Sequence, residues 1–148
     1  MEDVRCASEE LVYAWQALSS SLWSNRFMKK MTFNEINVCS LLTKRRDENV
    51  TATELCQHTG LLKSQMNRVL SAMEAKGYLC RVRSETDHRL VFLRLLPKGE
   101  TVFLQQREEV LRLVDEVVRE FGVDSTHVTA QMVQRVAKIL RKVMNRKE

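Results

Sequence analysis

Proline and glycine are scarce in this chain of 148 residues, which has one proline and four glycines. So few turn formers argue against a loop-rich or many-stranded fold. With 29% charged residues, the chain reads as mostly helical with short connections. No apolar run approaches the ~20 residues that span a bilayer, which excludes a transmembrane helix. The opening MEDVRCASEE is acidic and lacks an apolar segment, so it does not read as a secretory leader. No nucleophile–base pair, phosphate loop or metal motif is present, which argues against an enzyme and against a cofactor. His58, His88 and His127 are isolated, and no His/Cys spacing matches a closed zinc site. Four cysteines, at 6, 39, 56 and 80, have no paired short spacing. Cys39, Cys56 and Cys80 lie inside apolar patterns and read as reduced, packed thiols, as expected in a cytoplasmic protein.

What the chain does have is 44% hydrophobic residues, enough for a folded core, and positive charge concentrated in one stretch. Lys and Arg number 24 against 19 Asp and Glu, a net of +5. Residues 61–98 hold eight Lys/Arg against three Asp/Glu, so that segment carries the whole excess. A segregated basic patch is the footprint of a polyanionic partner such as double-stranded DNA.

Residues 61–99 also show the clearest pattern. Within 64–76, Met66, Val69, Leu70 and Met73 share one helical face and leave Gln65, Asn67 and Arg68 on another. Gly77 stops this helix, because glycine takes the left-handed cap position without steric cost. Residues 78–83 and 90–95 alternate in part, as half-buried strands do, and the polar residues 84–89 between them form a hairpin tip. Upstream, Thr32 with Glu35 and Thr51 with Glu54 have capping-box spacing and open two helices. Val50-Thr51 is a candidate short strand, and Gly60 closes the second helix. Two helices joined through a glycine turn, followed by a hairpin with a basic tip, read as a helix-turn-helix with a wing.

Amphipathic helices flank this unit. Residues 8–24 place Leu11, Trp15, Leu18 and Leu22 at helical spacing, and 25–31 read as a connection. Pro97 opens a long helix to about Phe121, which Gly122 stops. Asp124 or Ser125 is the expected cap of a last helix whose stripe runs from Val128 to Val143. These three helices carry more apolar surface than a small winged core absorbs, so a second copy of the chain is the expected cover. The expected fold is mainly α with a small β-hairpin wing. Residues 1–30 are read as a dimerisation helix, 31–99 as the winged helix-turn-helix lobe, and 100–148 as the helices completing the dimerisation lobe.

These motifs resemble the MarR family of bacterial transcriptional regulators. The resemblance rests on Ser64, Asn67 and Arg68, then Leu70, then Glu74-Ala75-Lys76-Gly77-Tyr78-Leu79, Arg81, the wing Asp87-His88-Arg89, and Leu95-Leu96-Pro97-Lys98-Gly99. Met31-Thr32-Phe33-Asn34-Glu35 and Thr53-Glu54-Leu55 fit as well. The chain departs at Leu96, where the family has threonine, at Leu62, often acidic, and at Asn67, commonly threonine. The resemblance implies a homodimer on a pseudo-palindromic operator, typically a repressor released by a small phenolic, lipophilic or oxidising effector. The alternative is a winged helix that uses the same shape on a protein partner, without specific DNA binding.

The candidate DNA-binding residues follow from chemistry and resemblance together. Arginine suits a narrow minor groove, and Arg89 has the wing position, with Asp87 holding it in the family pattern. Asn67 and Gln65 have the groups to read adenine, Arg68 to read guanine, and Ser64 to meet a phosphate. Lys63, Arg81, Arg83 and Lys98 are candidate phosphate contacts, with Arg94 similar. Trp15, Phe27, Met28 and Met31 are candidates for an effector pocket that would take a small aromatic or lipophilic molecule. Cys6, beside Arg5, is the candidate redox residue, since a neighbouring cation favours a reactive thiolate.

Overall fold

The computed structural model describes residues 2–22, 30–144 and 146. Six helices and three strands follow in the order α1 (Glu2–Leu22), α2 (Phe33–Lys44), β1 (Val50–Thr51), α3 (Ala52–Thr59), α4 (Lys63–Ala75), β2 (Leu79–Arg83), β3 (Val91–Leu95), α5 (Pro97–Phe121) and α6 (Val123–Met144). By contact the chain divides into two units, Met1–Glu108 and Glu109–Glu148. Among the described residues no helix is long and apolar enough to cross a membrane.

In the first unit, α2, α3 and α4 pack with a three-stranded antiparallel sheet of order β1-β3-β2. The register pairs Leu79 with Leu95 and Arg83 with Val91 across the wing, and Val50 with Leu93 on the other side of β3. The core is built from Val38, Cys39, Leu42, Val50, Leu55, Met66, Leu70, Met73, Leu79, Leu93 and Phe103, together with Met31. Both expected capping boxes form. Thr32 Oγ1 accepts from the Glu35 N–H while the Glu35 carboxylate accepts from the Thr32 N–H, and Thr51 and Glu54 repeat the exchange. The Thr51 N–H, its hydroxyl and Arg45 hold the Glu54 carboxyl below the usual carboxylate range.

Two helix boundaries differ from the sequence reading. α1 begins at Glu2 rather than near Ser8. Asp3 near its start complements the helix dipole, and Arg5 pairs with Glu9 one turn on at 2.8 Å. Residues 23 and 24, and most of the connection after them, lie outside the described residues. At the other end, Gly122 takes φ +90° and α6 starts immediately at Val123. Asp124 and Ser125 therefore sit inside its first turn, where the acid suits the dipole, instead of preceding it.

In the second unit, the later part of α5 and all of α6 carry apolar stripes without a core beneath them. No described residue of α6 is buried, although Val128, Met132, Ile139 and Val143 line one side. α1 is alike: Leu11, Val12, Trp15 and Leu18 are all exposed.

Of the three thiols expected in packed surroundings, Cys39 is buried while Cys56 and Cys80 are half-buried. Loss of hydration pushes the Cys39 thiol from its ordinary 9.0 up to about 12, with the nearby Glu35 carboxylate adding to the rise. An unfolded chain therefore loses this proton first. The stability that Cys39 contributes is whole below about pH 9 and falls as pH rises towards 12. At pH 9 in native conditions we expect iodoacetamide to label the exposed Cys6 and spare Cys39, with labelling of Cys39 appearing only in denaturant; peptide mass mapping reads this. A second outcome concerns Gly99, where a Cβ would collide with the Tyr78 backbone carbonyl. Gly99→Ala should cost about 2 kcal/mol or more in a urea melt, because backbone must move to make room.

Candidate nucleic-acid interface

α3 ends at Gly60, whose φ of +73° turns the chain towards α4. α4 is then held by Met66, Leu70 and Met73, all fully buried at successive turns. Removing one such side chain costs roughly 2–5 kcal/mol, so this face has no freedom to roll. The opposite face is thereby fixed outward, and Lys63, Ser64, Gln65, Asn67 and Arg68 are all exposed on it.

Both ends of α4 are tied. At its start, Leu62 precedes the helix and offers no side-chain acceptor, and Gln65 reaches back so that its Oε1 accepts from the Leu62 N–H at 3.0 Å. At its end the Gly77 N–H bonds to the Glu74 carbonyl and the Tyr78 N–H to the Met73 carbonyl, a Schellman closure. Lys76 then donates to Glu35 of α2 at 2.6 Å. Lys98 donates to the Lys76 carbonyl at 2.8 Å, and both ammonium groups lie 5.7 Å from the Tyr78 ring centroid.

The wing tip is a closed polar turn. The Asp87 N–H donates to Ser84 Oγ, the Leu90 N–H to the Asp87 carbonyl, and the Arg89 N–H to Asp87 Oδ1 at 3.0 Å. Asp87 thus orders the backbone of Arg89 and leaves its guanidinium clear. On the strand below, Arg81 pairs with Glu74 of α4 at 3.1 Å, which ties wing to helix.

Among the described residues, Lys63 and Arg68 on α4 and Arg83 and Arg89 on the wing have no ion-pair partner, and all four are exposed. Unpaired cations can neutralise phosphates without first breaking a salt bridge. The other candidates divide differently. Arg81 spends part of its charge on Glu74. Arg94 donates to the Glu48 carbonyl at 2.9 Å and to the Asn49 side chain. Lys98 is bonded to the Lys76 carbonyl, so both cations are hydrogen-bonded to neutral groups at the surface of the fold.

Of the effector candidates, Trp15 and Met31 are described. Met31 lies in the winged-helix core at 2% exposure, Trp15 is 53% exposed on α1, and Phe27 and Met28 lie outside the described residues. A cavity of about 220 Å³ opens elsewhere, between the end of α2, β3 and the start of α5. Around it Arg46 pairs with Glu100, and Arg45 with Glu48 and Glu54. At Cys6 the neighbours differ from the reading of the sequence. Arg5 is committed to Glu9, and the thiol faces Glu10 at 4.0 Å. The Glu35–Lys76 and Arg94–Asn49 links join residues more than forty positions apart. No local spacing announces such pairs.

The division of cations has a measurable consequence. Arg83→Ala should lower the slope of log affinity against log salt by about 0.9, one phosphate contact. Lys98→Ala should leave that slope unchanged and lower the melting temperature instead. Anisotropy titrations at several salt concentrations, with a thermal melt of each variant, check both.

The model of the transcriptional regulator SarA/Rot family matches residues 24–105 of this chain. The chain is similar to the HTH-type transcriptional regulator MgrA of Staphylococcus aureus, with 28% identity over 152 residues, covering 98% of this chain and 95% of MgrA. It is similar in structure to the transcriptional repressor CouR, solved bound to a 23-mer DNA duplex. The TM-score is 0.78, with 25% identity over 88% of this chain and 94% of CouR. A MarR family protein from Bacillus stearothermophilus superposes with a TM-score of 0.72 and 21% identity, covering 95% of this chain and 98% of that one. The resemblance seen in the motif residues and the fold built around them agree with these matches. The chain belongs to the SarA/Rot family of MarR-like winged-helix proteins and is a DNA-binding transcriptional regulator.

Proposed function

We propose that this regulator is a homodimeric repressor that holds a pseudo-palindromic operator through α4 and the wing. The observation that carries the reading is the set of four unpaired cations, Lys63, Arg68, Arg83 and Arg89, on a helix and a hairpin tied to each other. In this reading α4 lies in the major groove. There Asn67 and Arg68 meet base edges, and Ser64 and Lys63 meet phosphates. The wing reaches the flanking minor groove with Arg89, ordered by Asp87, while Arg83 and the part-paired Arg81 follow the backbone. Gln65 contributes by holding the start of α4. Repression follows from occupancy of the operator, as the similarity to CouR supports. The protein works by binding and not by catalysis, in the cytoplasm where its DNA is.

Dimerisation is the second part of the proposal. Residues 1–30 and 100–148 form the dimer, and 31–99 the DNA-binding lobe. α1, α5 and α6 each leave an apolar stripe uncovered, and apolar stripes of this kind mark interaction surfaces. Charge supports pairing between copies. α1 carries Glu2, Asp3, Glu9 and Glu10 against Arg5, whereas α6 carries Arg135, Lys138, Arg141 and Lys142 against Asp124. Two α4 helices related by the dimer axis would then meet half-sites about one helical turn, ~34 Å, apart. A small aromatic or lipophilic effector, or an oxidant acting at Cys6, releases the DNA by changing that spacing. Trp15, Phe27, Met28 and Met31 remain the residues to test for the effector.

Arg89→Ala should weaken operator binding by roughly 1–3 kcal/mol. It should leave the mass by light scattering at twice that of one chain. Unchanged affinity, or loss of the dimer in that variant, contradicts the assignment of Arg89 to DNA.

A further inference from the structure

We propose that Leu62 reads the 5-methyl group of a thymine in the major groove of each half-site. The inference rests on the operator reading above and adds to it a residue that chooses a base. Leu62 is 69% exposed, the most exposed large apolar side chain described between residues 31 and 99. It stands immediately before α4, next to Lys63 and Ser64, on the surface that presents the polar residues of that helix. The other large apolar residues of α4 face inward: Met66, Leu70 and Met73 are buried and Val69 is half-buried.

The local bonding points the same way. α2 and α3 each begin after a threonine whose hydroxyl caps the helix. α4 begins after a leucine, and the missing help comes from Gln65, whose Oε1 accepts the Leu62 N–H. That bond turns the Gln65 amide back on the helix start and fixes the backbone of Leu62. The amide thus braces the helix start, and an exposed aliphatic group stands beside it. Hydrogen bonds cannot identify a methyl group; apolar contact can, and in the major groove thymine is the base that presents one. Val82 and Leu90, each 44% exposed, belong to the wing and its tip. In the proposed docking they face the minor groove, where no methyl group is displayed.

The test uses the full-length protein and an operator recovered by selection from random duplexes. Each thymine is replaced singly by deoxyuridine, which removes only the methyl group, and affinity is read by anisotropy. One thymine in each half-site should be sensitive, with a loss of about fourfold, the worth of one buried methyl group. Leu62→Ala should bind the normal operator correspondingly less well and be indifferent to uracil at that position. Leu62→Met should keep most of the sensitivity. If no thymine is sensitive, or if Leu62→Ala retains the wild-type sensitivity, the inference is wrong while the operator reading stands. If selection recovers no preferred duplex, the operator reading itself fails and takes this inference with it.

Discussion

The winged helix depends on one buried carboxylate. Glu35 is 2% exposed and has both oxygens engaged, Oε2 by the Thr32 N–H at 2.8 Å and Oε1 by Lys76 at 2.6 Å. It therefore starts α2 and holds the far end of α4 in a single interaction. Lys76 in turn lends its carbonyl to Lys98, and Gly99 lets α5 begin hard against Tyr78. Three segments distant in sequence meet here. Stranding the carboxylate without its lysine would cost roughly 1–3 kcal/mol, moderated because Lys76 keeps contact with water. The geometry matters more than the energy. The pair sets the angle at which α4 is presented, and any surface on α4 inherits that angle.

The proposed DNA-facing surface draws on cations that the fold leaves without ion pairs. Among the described residues, ion pairs engage Arg5, Arg45, Arg46, Lys76 and Arg81. Lys63, Arg68, Arg83 and Arg89 are left out. Net charge alone does not distinguish the side chains the fold engages, because Lys98 and Arg94 carry the same charge as Arg83 and hydrogen-bond to neutral groups of the fold. Polar turns complete the surface: Ser84 and Asp87 close the tip on its own backbone, so Arg89 extends from a shaped loop.

Much of this was legible in the sequence where short-range physics governs it. Thr32/Glu35 and Thr51/Glu54 announce their helices because a capping box needs only four residues. Gly77 and the alternating residues on either side of 84–89 announce the helix stop and the hairpin for the same reason. The helical spacing of Met66, Leu70 and Met73 named the inner face of α4, and hence its outer one. The long-range bonds were not legible. Nothing in the spacing announces the bond of Lys98 to a backbone carbonyl 22 residues away. The bond of Gln65 to Leu62 is equally hidden, because the need for a helix start at Leu62 shows only when the boundary is known. The early start of α1 was missed because its first turns carry acids and small residues, with helical support from Arg5–Glu9 in place of an apolar stripe.

The central claim is that one face, made by α4 and the wing of two copies, recognises a two-fold DNA sequence. Selection from a random duplex pool under reducing conditions tests it most directly, followed by anisotropy titration of the winner at two salt concentrations. The account predicts a pseudo-palindrome bound at least a thousandfold more tightly than random DNA, with a steep loss of affinity as salt rises. Recovery of no motif, with weak binding that salt barely changes, would contradict it.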